Sequence, residues 1–424
     1  MKSFLRDFIS KQKRRASTGQ LLATAPTNNY KSAPPQTNNG MAAQDQQVLA
    51  AATPETLNVA LQNKTNSSNA FAYITGRALN NNSRFMFIKS DGRTVYFPNS
   101  PSKTGSPLEA DVAIPLGAPG NTVKVVIPKM AGGRIWFSVD GRLTFLLNPG
   151  PAIVEPSVTN PSDPNVNANW SFAEFTYNDA QLFANISYVD FVSIPVGMSL
   201  TSTNGPTQTV PGMRPDGLNT MVNELRAQAS RDGRPWDKLI YAPNGRPLRV
   251  LSPNNLTVGN DNAWTDYWNG YVDQVWNKFS NEDIIVNTQA AAGNLRGRVR
   301  NNELVLGSAG NFARPSAKDI FSCSTGPFAT GDNAARNAVI PRLAAAFNRS
   351  TLLDTNTFPN GSRPENYYRY PITNHYARLI HSVQKDGRGY AFPYDDVVPD
   401  GGSDVAGVVH DGSPQLFTLS VGGN

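Results

Sequence analysis

The sequence predicts a mainly β protein that also contains a mixed α/β region, and three observations support this. Among its 424 residues the chain has 34 glycines and 32 prolines, with many Asn, Thr and Ser residues, which is typical of short strands joined by frequent turns. Strand-like apolar runs occupy both ends of the folded part. Apolar residues recur at helical spacing only in the middle of the chain.

The first part of the chain, residues 1–53, is predicted to be a disordered basic and polar tail. The first 40 residues contain seven Lys or Arg residues and one Asp, so their net charge is +6, the same as that of the whole chain. From Ser17 to Ala52 there are too few large apolar residues to offset the entropy lost on ordering. Because the remaining chain is balanced in charge, we expect no basic face for nucleic acid.

No segment is predicted to cross a membrane, since no run approaches the roughly 18 to 20 apolar residues that this requires. The N-terminus also lacks the uninterrupted apolar segment of a secretory signal, because the apolar residues at positions 4, 5, 8 and 9 are separated by Arg6 and Asp7. Their spacing suits a short amphipathic helix, so a targeting or membrane-surface element stays an alternative to the disordered tail. The compartment is left open.

Two β-hairpins are predicted at Asp-Gly pairs. Residues 84–89 and 93–97 flank Asp91-Gly92, and residues 134–139 and 142–147 flank Asp140-Gly141. Asp-Gly supplies the positive φ angles of a tight hairpin turn. Strand-like segments continue to Val192 with many Pro and Gly interruptions, which favours a sandwich or barrel over parallel βαβ units.

The middle of the chain is predicted to contain three helices, over residues 217–230, 264–279 and 332–347. In the second helix Trp264, Trp268 and Trp276 lie at helical spacing, so we expect them in the core, with stacking on a sugar as the alternative.

From Tyr367 strands are expected to resume, ending with a strand over residues 416–421. We therefore predict a discontinuous β lobe, residues 54–205 and 363–424, and a mixed α/β lobe, residues 206–362.

No metal site and no cofactor are predicted. Cys323 is the only cysteine, which excludes an intrachain disulfide and a cysteine-based zinc site. His375, His381 and His410 have no metal-binding spacing.

The candidate chemistry lies in residues 170–191. A strand period of two places Glu174, Thr176 and Asn178 on one face and Phe175 and Tyr177 on the other. A carboxylic acid, a second carboxylate at Asp190, and neighbouring hydroxyl and amide groups are what glycoside hydrolysis requires. A polar outer face is, however, ordinary on any antiparallel sheet.

The distance between the two carboxyl groups constrains this interpretation. In a regular hairpin that turns near Ala180, Asp190 would lie on the order of 13 Å beyond the position opposite Glu174. An inverting pair of carboxylates is roughly 6.5 to 9.5 Å apart. The hypothesis therefore requires a bulge, a bend or a different pairing between Ser187 and Asp190.

The segment Glu174-Phe175-Thr176-Tyr177-Asn178, followed sixteen residues after Glu174 by Asp190, resembles the catalytic block of glycoside hydrolase family 64. These enzymes are laminaripentaose-producing β-1,3-glucanases with a thaumatin-like fold. Similar segments occur at residues 133–138, 148–151, 160–165 and 390–396. The likeness covers residues 55–424, so only the tail falls outside it.

The resemblance implies an inverting hydrolase of β-1,3-glucan with Glu174 as general acid and Asp190 as the base that activates water. It also implies a wide acidic groove between a thaumatin-like β-barrel or sandwich lobe and an α/β lobe. The enzyme would bind the glucan chain in this groove and release mainly five-sugar products. The residues expected to line the groove are Asp163, Thr176, Asn178, Phe183, Ser187, Asp395 and Asp396. Phe183 stands where tryptophan is common in the family, and Ser187 stands where threonine is common. The first position therefore stays aromatic and the second keeps a hydroxyl group.

The main alternative is a non-catalytic, thaumatin-like β-glucan-binding protein, which would share the groove without needing both carboxylates. A structural protein that assembles through the basic tail is a third, weaker possibility. For the hydrolase we expect a monomer.

Overall fold

A computed structural model describes residues 52–423 of the chain. The predicted tail, residues 1–53, lies outside the described residues except for its last two. Thr53 is part of the folded region, because its N–H and its hydroxyl donate to the carbonyl oxygens of Asp179 and Asn178, at 3.1 and 2.6 Å.

Two large sheets contain the longest strands. The five-stranded sheet consists, in spatial order, of β15 (Gln208–Val210), β14 (Val196–Ser202), β24 (Pro414–Val421), β1 (Thr56–Asn63) and β7 (Thr122–Pro128). The eight-stranded sheet consists of β23 (Val408–Asp411), β12 (Leu182–Ile186), β11 (Asn169–Tyr177), β8 (Met130–Val139), β2 (Ala70–Ala78), β3 (Arg84–Ile88) and β4 (Val95–Tyr96), with β6 (Ile114–Pro115) beside β2.

Three smaller sheets and six α-helices complete the described part. The smaller sheets are β10 (Ala152–Val154), β9 (Leu146–Asn148) and β5 (Ser106–Pro107); β13 (Phe191–Val192), β17 (Arg249–Leu251) and β16 (Ile240–Tyr241); and β21 (Asn311–Phe312), β20 (Glu303–Val305), β19 (Asn294–Arg300), β18 (Ile284–Asn287) and β22 (Thr357–Phe358). The helices are α1 (Gly217–Asp232), α2 (Pro253–Gly259), α3 (Asn269–Asn281), α4 (Ala317–Ser322), α5 (Ala334–Asn348) and α6 (His375–Val383).

The two large sheets pack against each other through alternate residues of their strands. The ring of Phe175 in β11 lies 6.3 Å from that of Phe417 in β24. A Cβ atom at Gly133, which pairs with Phe175 across β8 and β11, would lie 2.5 Å from the Phe175 ring, so glycine is required there. The mainly β class is confirmed. No sheet of the described residues closes into a barrel. The barrel alternative of the prediction is therefore wrong.

The first predicted hairpin is confirmed and the second is wrong. β3 and β4 are antiparallel, with Phe87 opposite Tyr96. After Asp140-Gly141, however, the chain does not return along β8, because β2 and β11 occupy both edges of that strand. β9 pairs with β5 and β10 instead. Pairing between distant segments therefore overrides the local turn signal.

The three predicted helices are present with shifted ends. α1 extends two residues beyond its prediction, to Asp232, and is capped by Gly233, whose φ of 68° is the left-handed conformation that glycine adopts easily. α3 begins only after Trp268, and α5 matches the third prediction closely. Trp264, Trp268 and Trp276 are buried, which confirms that they belong to the core.

The expectation of strands directly after Tyr367 is wrong, because α6 lies there. The Asn374 side chain caps this helix by accepting a hydrogen bond from the Ala377 N–H. The final strand is confirmed as β24.

The division into a β lobe and an α/β lobe stays a prediction. β13, before the predicted boundary at residue 205, pairs with β17 beyond it. None of the helices in the described part is both long and apolar enough to cross a bilayer.

Candidate active site

Three adjacent strands place polar residues in one row across the eight-stranded sheet. Glu174 of β11 lies directly opposite Arg134 of β8 on one side and Asn185 of β12 on the other. Side chains directly opposite each other lie on the same face of the sheet. Phe175 contacts the five-stranded sheet, so Glu174 and Thr176 lie on the face away from it. This is the alternation that the sequence predicts.

Arg134 links two carboxylates within this face. Its Nε and Nη2 atoms both donate to Oε1 of Glu174, each at 3.1 Å, and its Nη1 donates to Oε2 of Glu155 at 2.5 Å. The guanidinium also lies over the rings of Trp136 and Phe172, 5.3 and 5.1 Å from their centroids. The aromatic core and two ion pairs therefore fix the position of Arg134.

The aromatic core beneath Arg134 also supports the chain near Asp190. Trp136, Trp170, Phe172 and Phe191 are all buried in one cluster. The rings of Trp170 and Phe191 meet edge to face with centroids 4.6 Å apart. The residue after Asp190 is thus packed against the strand that carries Glu174.

Asp190 lies in a bend between two sheets. β12 ends at Ile186, the chain bends at Val189 and Asp190, and β13 then joins β17. The main-chain oxygen of Asp190 accepts hydrogen bonds from Ser252 N and Asn255 Nδ2, each at 2.8 Å. The bend that the sequence argument requires is therefore present, and α2 holds it in place.

Burial raises the pKa of Glu174 above its ordinary value. Arg134 opposes this increase, whereas the charges of Asp190 and Glu155 add to it. Burial also raises the pKa of Asp190, although Arg134 and the amide of Asn255 act in the opposite direction. For Arg134, burial favours loss of the proton, but the three carboxylates outweigh it and raise its pKa. Both carboxyl groups therefore interact with one cation, Arg134, and the charge of Asp190 also acts on Glu174.

Three of the expected groove residues continue the face that carries Glu174. Thr176 pairs with Phe183 across β11 and β12, and Ser187 continues the alternation to a bridge with Tyr390. The Phe183 ring stacks on exposed His410 with centroids 6.4 Å apart. Within residues 52–423, Thr176 Oγ1 and Asn185 Oδ1 are buried without a hydrogen-bond partner. This face therefore has unused hydrogen-bonding capacity beside Glu174, two residues along β11 and directly across on β12.

Asn178 and Asp163 organise turns. The side-chain oxygen of Asn178 accepts from the N–H groups of Ala180 and Gln181, both at 3.0 Å, and so shapes the turn between β11 and β12. Asp163 is buried and accepts from the N–H groups of Ser157 and Asn165. Any contact of these two residues with a ligand would be additional to these structural bonds.

The two adjacent acidic residues after Tyr394 have different environments. Asp395 is completely buried; its carboxylate accepts from Arg349 Nη2 at 2.9 Å, His381 Nε2 at 3.0 Å and Ala391 N at 3.0 Å. These three bonds give Asp395 a structural role, and its expected place on the groove wall stays a prediction. Asp396 is half-buried and accepts from the Tyr390 hydroxyl at 3.0 Å.

The sequence argument missed Arg134, Glu155 and Asn185 as site residues. Arg134 lies in an apolar strand on the same face as the buried Trp136. A charged residue at such a position is a signal of a partly buried charge. Glu155, next to a proline after a short apolar run, carries no comparable signal. Among the described residues, no group of three or more His, Cys, Asp or Glu side chains is arranged to hold a metal ion.

Comparison with known proteins identifies the family. The chain is 30% identical over 310 residues to a glucan endo-1,3-β-glucosidase of Cellulosimicrobium cellulans and 29% identical to one of Arthrobacter sp.; each match covers 71% of this chain and 54% of the relative. The chain thus spans about half the length of these curated relatives.

Solved structures extend this comparison. A laminaripentaose-producing β-1,3-glucanase in complex with laminaritetraose is 32% identical, with a TM-score of 0.76, and the match covers 87% of this chain and 99% of that one. A β-1,3-glucanase domain from Clostridium beijerinckii, 20% identical with a TM-score of 0.68 over 87% and 98% of the two chains, shares the fold. The model of the β-1,3-glucanase family, glycoside hydrolase family 64, matches residues 55–421, and the chain belongs to this family.

Proposed function

We propose that this protein is an inverting endo-hydrolase of β-1,3-glucan, with Glu174 as general acid and Asp190 as general base. The observation that carries the proposal is the bend that brings Asp190 to the guanidinium already bound by Glu174, so that the two carboxyl groups interact. A buried carboxyl with a raised pKa keeps a proton that it can donate. The similarity to a glucanase solved with laminaritetraose supports the choice of substrate.

In the proposed reaction Glu174 gives its proton to the glycosidic oxygen while the bond from that oxygen to the anomeric carbon breaks. Asp190 takes a proton from a water molecule, whose oxygen bonds to the anomeric carbon from the opposite face. Because Arg134 donates two N–H groups to Oε1 of Glu174, it favours negative charge on that oxygen and leaves the proton on Oε2. No covalent glycosyl intermediate forms.

We also assign the β lobe and the α/β lobe to the two walls of the substrate groove, in a thaumatin-like arrangement, and expect a monomer that releases mainly laminaripentaose. Thr176, Phe183 and Ser187 share the face of Glu174. Thr176 Oγ1 and Asn185 Oδ1, which are buried without a hydrogen-bond partner, are further polar atoms beside Glu174. For Asn178, Asp163 and Asp396 we propose only that they lie at the groove margin.

The test uses laminarin as substrate and follows the anomers of the products by NMR. Inverting hydrolysis predicts that α-anomers appear first and then equilibrate with β-anomers. Initial β-anomers would contradict the assignment of Asp190 as a base. A parallel sedimentation assay with insoluble β-1,3-glucan distinguishes the hydrolase from the alternative, a non-catalytic binding protein. A protein that sediments with the glucan but releases no reducing sugar is a binding protein.

A further inference from the structure

Glu155 lies on the side of Arg134 opposite Glu174. It follows β10, and its side chain is 27% exposed, against 18% for Arg134 and 11% for Glu174. Its Oε2 atom accepts from Arg134 Nη1 at 2.5 Å. This is the shortest of the three hydrogen bonds that link Arg134 to the two glutamates.

The guanidinium is thereby divided between two partners. Nε and Nη2 bind Glu174, whereas Nη1 binds Glu155. If Glu155 were neutral, the positive charge of Arg134 would be opposed less strongly, and its attraction would act more fully on Glu174 and Asp190. The contacts of the guanidinium with the rings of Trp136 and Phe172 do not involve Glu155.

We propose that Glu155 is a positioning residue for the hydrolysis: it holds Arg134 from the side opposite Glu174 and shares its charge, so that Glu174 still carries a proton at the pH of catalysis. This inference rests on the proposed function, because it assumes that Glu174 donates a proton. Glu155 itself transfers no proton to the substrate.

Electrostatics of the surrounding groups agree with this role. The charge of Glu155 raises the pKa of both Glu174 and Asp190. The other groups that face this pair are Arg134 of β8, the neutral Asn255 of α2 and Tyr376 of α6. The pKa of Tyr376 is itself raised by burial and by the charge of Asp190. Arg134 is the cation that acts on both carboxyl groups, so the partner that shares its charge influences both of them.

The test is the pH dependence of kcat/KM for laminarin in Glu155→Gln. Removal of the negative charge lowers the pKa of both Asp190 and Glu174. The pKa of Asp190 sets the acidic limb of the profile, and that of Glu174 sets the basic limb. The whole bell-shaped profile is expected to move to lower pH by about one unit. Activity on the alkaline side falls most. A merely structural role would lower activity at every pH without moving the limbs.

Asp283→Asn provides a matched control. Asp283 is also 27% exposed and forms ion pairs with two arginines, Arg296 and Arg298 of β19, but it directly precedes β18, a strand of a different sheet. We expect this variant to keep the pH profile of the wild type, so a comparable displacement in Asp283→Asn would overturn the inference.

Glu155→Asp covers the case in which Glu155→Gln does not fold. The shorter side chain keeps the charge but moves it away from Nη1, so both limbs should move to lower pH by less than one unit. Unmoved limbs in a folded Glu155→Gln variant, or a move to higher pH in either variant, would overturn the inference. If the wild-type protein releases no sugar from laminarin, the proposed function fails instead.

Discussion

Arg134 and Glu174 are direct cross-strand neighbours, and two nitrogen atoms of the guanidinium lie 3.1 Å from the same carboxylate oxygen. The sequence separates these residues by forty positions. The pairing of β8 with β11 brings them together, and the bend after β12 adds Asp190 to the same group of charges.

Substitution of Glu174 by Gln removes the proposed proton donor while keeping the shape of the side chain. We expect kcat for laminarin to fall by about 10²- to 10⁴-fold, the usual contribution of general acid catalysis. A β-laminaribioside with a 2,4-dinitrophenyl leaving group needs no protonation, so its hydrolysis should be reduced far less. Equal losses on both substrates would contradict the role of Glu174 as acid.

Asp190→Asn removes the proposed base and should behave differently. Because water activation is needed whatever the leaving group, laminarin and the dinitrophenyl glycoside should lose activity to a similar extent, at least about 10²-fold. Steady-state assays of both substrates make the comparison, and circular dichroism checks the fold. Near-normal activity of this variant on either substrate would exclude Asp190 as the base.

Arg134→Met should destabilise the protein strongly, because it leaves Glu174 and Glu155 without their shared cation. Loss of one partner of a fully buried ion pair costs about 3 to 5 kcal/mol of unfolding free energy, and the partial exposure of Arg134 and Glu155, 18% and 27% of their side chains, should reduce this loss. The deficit should shrink as the pH falls and the carboxyl groups become protonated. Urea unfolding at several pH values measures it.

Arg142→Met is the control for that experiment, since Arg142 is 59% exposed and pairs with the exposed Asp111. We expect a loss of only about 0 to 1 kcal/mol there. Similar losses in the two variants would argue against the buried network.

His381 should contribute stability that disappears at alkaline pH. Its Nδ1 faces the Gly387 carbonyl oxygen at 2.9 Å and its Nε2 faces the Asp395 carboxylate at 3.0 Å. Two acceptors require two N–H donors, and hence the imidazolium form. Burial favours the neutral ring, but Asp395 and Gly387 outweigh it and raise the pKa of His381 above its ordinary value of 6.5.

Because the folded-state pKa is the higher one, this stabilisation is complete below about pH 6.5 and is lost as the pH rises through the folded value. The difference in Tm between the wild type and His381→Gln should therefore decrease from pH 6 to pH 9. His410→Gln, at an exposed histidine, controls for the general effect of the substitution. A difference that grows with pH would contradict the assignment.

Asn255→Ala tests whether α2 positions the bend. Loss of the hydrogen bond from Asn255 Nδ2 to the main-chain oxygen of Asp190 should cost about 1 kcal/mol of stability. A larger relative loss is expected in kcat, because Asp190 is then held less firmly. Asn254→Ala, in the same helix, is the matched control, and the two variants are compared by kcat, KM and Tm. Equal kcat values would exclude a role for this hydrogen bond.

The local pattern predicted the faces of β11 correctly, because alternation depends only on neighbouring residues. It also identified where the chain had to bend if Asp190 belongs to the site. The second hairpin could not be excluded locally, since only the long-range partners β2 and β11 reveal that both edges of β8 are occupied.

The charges around Glu174 were harder to predict for the same reason. Arg134 and Glu155 reach the site through strand register and a loop, which a single sequence does not specify. Likewise, nothing in the pair Asp395-Asp396 distinguishes the residue that is buried against Arg349 and His381 from the one that is half-buried.

The bend at Asp190 transfers the chain from the eight-stranded sheet to the small sheet that contains β17, whereas Glu174 remains on β11. The gap between the two carboxyl groups is therefore set by side-chain packing between sheets and not by the hydrogen-bond ladder of one sheet. Trp170 and Phe191, whose rings meet on either side of that junction, act as spacers. A change in the volume of either ring would alter the room left for a water molecule between the proposed acid and the proposed base without altering a single polar residue.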